Sequence, residues 1–149
     1  MAISTAFCNT YKGDCLAGRA RLITGQTGHR IALYTSTATL GASTSAYSAT
    51  NEVTGTGYVA KGALLVIPAS IPNSGTGQSV AYADFDDTTW ATSTITANGA
   101  LIFDDSATTP TVDAALVTLA FGSDKTSSGG DFTVAYPAAA TGTAIIRIG

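Results

Sequence analysis

The densest set of side chains able to do chemistry is acidic. Asp84, Asp86 and Asp87 close one strand-like run, and Asp104 and Asp105 close another. Asp84 and Asp86 fall on one face of a strand, where two carboxylates can share a ligand. If the two runs are neighbours, four or five carboxylates converge on one rim, the oxygen-rich surrounding that Ca²⁺ takes. The spacing lacks the glycine and glutamate of an EF-hand loop, so Asp84, Asp86 and Asp104 are weak cation candidates. The simpler expectation is no metal, with aspartates at strand ends accepting backbone N–H bonds and shaping turns. Glycoside hydrolysis by paired carboxylates is the weakest of the three readings.

The remaining chemistry-bearing residues are isolated. His29 is the one histidine, placed in the run Gly25-Gln-Thr-Gly-His29, and no GxSxG or HExxH motif accompanies it. Gly55-Thr-Gly57 leads into strand residues rather than a helix, so it reads as a turn and not as a phosphate cradle. Cys8 and Cys15, seven residues apart on a helix, would sit roughly 10 Å from each other by the helix rise. A disulfide needs Cα atoms within about 7 Å, so both are expected as free, buried thiols. Trp90 is the single tryptophan, and it and Tyr34 are expected as anchors of the core or of a subunit interface. These residues predict a protein that is not an enzyme and takes no cofactor.

The elements that must carry them are mostly strands. Residues 4–17 form the one helical candidate: Ile3, Phe7, Tyr11 and Cys15 recur every four residues, Ser4 or Thr5 can cap the start, and Gly18 is placed to end it. Beyond residue 28 the chain reads as short strands between turns. Arg30 to Ser36 alternates, with Ile31 and Leu33 on one side and Ala32 and Tyr34 on the other. Further strands are expected at 63–67, 79–85, 94–103, 114–121, 132–136 and 143–148, separated by turns at Gly55-Thr-Gly57, Pro72-Asn-Ser-Gly75, Asp104-Asp-Ser106 and Ser127-Ser-Gly-Gly130. Thr35 to Gly57 is expected as a long structured surface loop. The pattern predicts an all-β fold, an antiparallel β-sandwich of jelly-roll or immunoglobulin-like type with one N-terminal helix. Residues 1–28 would form the helix and an arm, and 29–149 the sandwich domain.

Composition narrows the function. Ala, Thr, Gly and Ser number 26, 25, 16 and 13, more than half of 149 residues, while Leu, Ile, Val and Phe total 31. A lean core and few charges predict a domain that gains stability by burying surface in an assembly and is marginal as an isolated monomer. A net charge of −3 with scattered basic residues offers no footprint for nucleic acid. No apolar run approaches the roughly 20 residues of a membrane helix, and Met1 to Thr5 lacks the charged start of a secretory signal.

The runs Met1 to Lys12, Ile31 to Ser36, Ala38-Thr-Leu40, Ala42-Ser-Thr44, Glu52 to Tyr58, Ala83-Asp-Phe85, Thr88-Thr-Trp90, Ile95-Thr-Ala97, Gly99 to Ile102, Asp124-Lys-Thr126, Phe132-Thr-Val134 and Tyr136 to Ala139 follow in order along the whole chain. Together they resemble a family of small structural proteins of tailed bacteriophages. The chain departs from the family at 13–28. There, Gly13, Gly18, Arg19 and Arg21 replace a more Leu-rich helix, leaving open whether the first helix packs on its own domain or reaches out. The resemblance implies a virion component assembled in the host cytoplasm, most simply a capsid decoration protein that binds the major capsid protein as a homotrimer or other homo-oligomer. Its expected capsid contacts are Ile3, Phe7, Tyr11 and Arg19. A tail or head–tail adaptor subunit is the alternative. So is a glycan-binding module, which would expose aromatic rings near Asp84 to Trp90.

Overall fold

The computed structural model describes residues 2–20, 22, 28–68, 79–106 and 111–149. In chain order the elements are β1 (Ala6–Phe7), α1 (Asn9–Leu16), β2 (His29–Tyr34), β3 (Ala63–Leu64), β4 (Ala81–Ala83), β5 (Thr88–Asp104), β6 (Ala114–Val134) and β7 (Ile146–Ile148). Every strand pairing is antiparallel. One sheet has five strands in the order β1-β6-β5-β2-β3, and a second holds only β4 and β7. The all-β expectation is met; the described second sheet has two strands of three residues each.

β2 is the pivot. The sequence Ile31-Ala-Leu-Tyr34 alternates apolar side chains on both sides, and the sheet buries both. Ile31 and Leu33 pair with Ile102 and Ala100 on one face; Ala32 and Tyr34 pair with Leu101 and Gly99 on the other. The first face packs with Leu65, Ile67, Phe85, Trp90 and Ile146 in the larger cluster. The second packs with Ile3, Cys8, Ala38 and Leu40. Each fully buried aliphatic side chain of this kind contributes about 1.5–3 kcal/mol, so a two-faced strand concentrates scarce apolar residues where they count twice.

The long loop after β2 is the cover of the second face rather than a surface excursion. Ala38 and Leu40 are buried, Tyr34 Oη donates to Ser48 O at 2.6 Å, and Tyr47 stacks on Phe103 at 4.8 Å. The N-terminal segment completes that cover. Ser4 N donates to Leu40 O, Cys8 N donates to Leu116 O, and Thr118 Oγ1 donates to Ser4 O. Gly99 makes room for it, because a Cβ there would press on Ile3 and on Leu119 O.

Two boundaries differ from the sequence reading for definite reasons. The stripe Ile3, Phe7, Tyr11, Cys15 is split among elements. Ile3 precedes β1, Phe7 lies in β1 opposite Val117, and α1 starts only after Cys8, which offers no side-chain cap. The helix does end as expected. Gly18 takes φ +69°, its N–H donates to Cys15 O and the Arg19 N–H donates to Asp14 O, the paired bonds of a Schellman ending. The second difference is in β6, where 114–121 and the first three residues of 132–136 belong to one strand of 21 residues, Ala114–Val134. Ser127-Ser-Gly-Gly130 is not a turn: Gly129, at φ +69°, is absorbed where the register with β5 shifts. Beyond Gly99, β5 and β6 therefore run on as a two-stranded ribbon that presses Trp90, Ile95 and Phe132 inward and turns Thr89, Thr94, Thr96, Thr126 and Thr133 outward. The expected turn at 72–75 lies outside the described residues.

Gly62 sits at φ +64°, and a Cβ there would overlap Ile31 O on the pivot strand. Gly62→Ala should therefore cost at least about 2 kcal/mol. Gly13→Ala, in open space on α1, should gain about 0.5–1 kcal/mol. Urea unfolding of the two variants checks both signs.

Candidate functional site

The two acidic runs do not meet. Asp84 precedes β5 and Asp104 ends it. The described residues contain no group of three His, Cys, Asp or Glu side chains that could hold a metal. Three of these aspartates, Asp84, Asp87 and Asp104, accept a nearby backbone N–H. Asp104 Oδ1 accepts from Ser106 N at 2.9 Å and from its hydroxyl at 2.5 Å, Asp84 Oδ1 accepts from Phe85 N at 2.9 Å, and Asp87 Oδ1 accepts from Tyr136 N at 2.9 Å. Asp86 lies exposed, its backbone N–H bonded to Val66 O.

Asp84 is nonetheless unusual. It is 2% exposed, and its Oδ2 has no hydrogen-bond partner. Burial raises its pKa above the ordinary 3.8, with bonds from Phe85 and Ile145 opposing and the Asp87 charge adding to the rise. Tyr136 Oη is sealed nearby, with the Thr88 side chain beside it.

The largest polar assembly gathers at the start of β3. Glu52 Oε2 accepts from Tyr47 Oη at 2.5 Å, while Oε1 accepts from Tyr58 Oη and from Lys61 N, each at 2.8 Å. Tyr58 Oη in turn accepts from Leu33 N at 2.9 Å, tying the network to β2. Lys61 Nζ lies 2.5 Å from Asp105 and 3.0 Å from Asp113 and is 5.6 Å from the Tyr47 ring centre. Hydrogen bonding to Lys61 holds Asp105 below the usual carboxylate range, and the same contacts raise Lys61. Arg30 adds bonds to Lys61 O and Gly62 O. Here every charge is answered by a neighbour, and the arrangement fastens the loop to the sheet. Glu52 is the one glutamate of the chain. Its rarity was the available signal for this network, and residue spacing alone does not reveal it.

His29 is a buried strand residue. It opens β2, is 1% exposed, and its Nδ1 has no partner while Nε2 stands 4.0 Å from Asp104 Oδ2. Burial lowers its pKa, with Asp104 partly opposing, so the ring is held neutral. Cys8 and Cys15 are both free; burial pushes the Cys8 thiol up to about 11, away from the reactive thiolate.

The residues expected to touch a capsid divide. Ile3 and Tyr11 are 8% and 6% exposed and pack inside the chain's own clusters. Phe7 is half-buried with its ring 5.1 Å from Tyr11, and Arg19 is tied to Asp14 at 2.8 Å. Tyr34 and Trp90 lie in the chain's own core. Phe85 is buried as well, so Asp84 to Trp90 presents no exposed aromatic ring for a sugar.

Surface features missed by the sequence are apolar. Leu16, Val59, Leu64, Val66, Val112 and Ile148 are each more than half exposed. Hydrophobicity patterns place such residues in a core, so only the fold reveals them. No helix is long and apolar enough to cross a membrane among the described residues. In comparisons with known proteins, no family model, curated protein or solved structure matches the chain.

Asp84→Asn separates a structural role from a cation site. Its folded pKa is raised, so ionised Asp84 penalises the fold at neutral pH and the penalty fades as pH falls toward 3.8. The variant should melt a few degrees higher at pH 7 and near the parent at pH 4. Differential scanning calorimetry at the two pH values reads this, and a lower midpoint at pH 7 contradicts it.

Proposed function

We propose that the chain is a non-enzymatic structural subunit of a tailed-bacteriophage virion, a capsid decoration protein that oligomerises and binds the major capsid protein lattice. Its location in this reading is the virion, and a trimer suits the three-fold positions of an icosahedral shell. The sandwich expected from sequence belongs to the same reading, with the β4–β7 pair as its second sheet.

One observation carries the proposal beyond the resemblance of sequence runs. A chain poor in large apolar residues leaves six of them, among the described residues, mostly exposed, while its Glu52, Lys61, Asp105 and Asp113 side chains are committed to internal bonds. Two of the six, Leu16 and Ile148, line one groove with Phe7, and contiguous apolar surface of that kind marks an interaction site. A clamp on a lattice needs no reacting group; it needs weak contacts that the lattice presents together.

The experiment is to mix the purified chain with heads lacking it and to sediment the heads. The proposal expects saturable co-sedimentation and copies distributed over the shell in electron micrographs. No binding overturns it, and a few copies confined to one vertex would assign the chain to the tail or its adaptor instead.

A further inference from the structure

α1 ends at Leu16, an apolar side chain left 91% exposed. Across from it β7 presents Ile148, 53% exposed, with Phe7 and Cys15 between them. Together with Lys12 and Arg147 these residues line an open groove of about 370 Å³. A second groove of about 390 Å³ shares Phe7, Arg147 and Gly149 with it and continues past Thr5 and Val80, so the two form one track along the β1–β7 side.

Charge gives this track its character. Arg19, Arg30 and Lys61 are each matched by an aspartate. Lys12 is bonded to Asn9 Oδ1 at 3.3 Å and Arg147 to Gly142 O at 2.7 Å, and neither forms an ion pair among the described residues. No carboxylate side chain is among the described lining residues. Lys12 and Arg147 thus stand beside an apolar floor of Phe7, Leu16 and Ile148 in the first groove.

We infer that this groove docks an acidic segment of a partner polypeptide that carries a large apolar side chain. The apolar group seats among Phe7, Leu16 and Ile148, and flanking carboxylates reach Lys12 and Arg147. A second copy of this chain does not supply such a segment from its described residues. In Asp84-Phe85-Asp86-Asp87 the Phe85 ring is 4% exposed, and exposed Val112 adjoins Asp113, which is already held by Lys61. The inference rests on reading the chain as a binding subunit, and it names the surface and the partner's chemistry.

The probe is a fluorescein-labelled synthetic peptide of glutamates around a Leu-Phe pair, with one control carrying lysine for glutamate and another carrying alanine for the apolar pair. Fluorescence anisotropy should show saturable binding of the acidic apolar peptide, weakened about tenfold or more by either control change. Leu16→Gln, and separately Lys12→Gln with Arg147→Gln, should weaken it by a similar factor. Their melting midpoints should stay unchanged, because the altered side chains lie at the surface. No saturation below about 1 mM, equal binding of the lysine peptide, or indifference to Leu16→Gln overturns the inference. Self-association that Leu16→Gln abolishes also overturns it, assigning the groove to a second copy. Head sedimentation with the same variants keeps the two readings apart: heads still bound by a chain that ignores the peptide overturn the groove assignment and leave the decoration reading standing.

Discussion

The structure depends on β2 being buried on both faces at once. With 31 Leu, Ile, Val and Phe residues in 149, a sheet with one wet face would leave too little apolar area to offset the entropy of ordering the chain. Ile31 and Leu33 serve one cluster, Ala32 and Tyr34 the other, and β5 repeats the device with Ile102 and Leu101. A parallel sheet between helices solves the same problem with regular layers. This chain solves it with loop and terminus, at the cost of many backbone groups that need partners outside the ladders.

That cost explains the polar network. Loop 35–62 has little periodic structure, so side chains must fix it. Glu52 collects Tyr47, Tyr58 and Lys61 N, Tyr58 reaches Leu33 N, and Lys61 bridges to Asp105 and Asp113. Removing one partner of such a set strands the others, which costs more than the bond itself gains. Thr, Ser and Gly, which make up much of the chain, supply the turns, the Gly99 and Gly62 approaches, and the outward threonine ladder of the ribbon.

Sequence reading reached what local chemistry determines. The alternation in β2 and the Gly18 helix ending are decided within a few residues, and Asp104 shapes its turn as strand-end aspartates do. It failed where distant contacts decide. A stripe spaced every four residues from Ile3 to Cys15 fits a helix, yet pairing with β6 draws Ala6 and Phe7 into a strand. Ser127-Ser-Gly-Gly130 carries turn residues, but the partner strand β5 holds it extended. Asp84, Asp87 and Asp104 each bond a nearby backbone N–H, and among the described residues they join no group of three that could hold a metal. The exposed apolar residues escaped notice because exposure is a property of the fold.

The N-terminal segment is a structural layer of the sheet, and native-state hydrogen exchange tests this directly. Ser4 and Cys8 amides, which donate to Leu40 O and Leu116 O, should exchange as slowly as those of Ile31 to Tyr34, through the same cooperative opening. Exchange of Ser4 and Cys8 at the rate of an unstructured chain, with β2 still protected, would contradict it and make the segment a free arm.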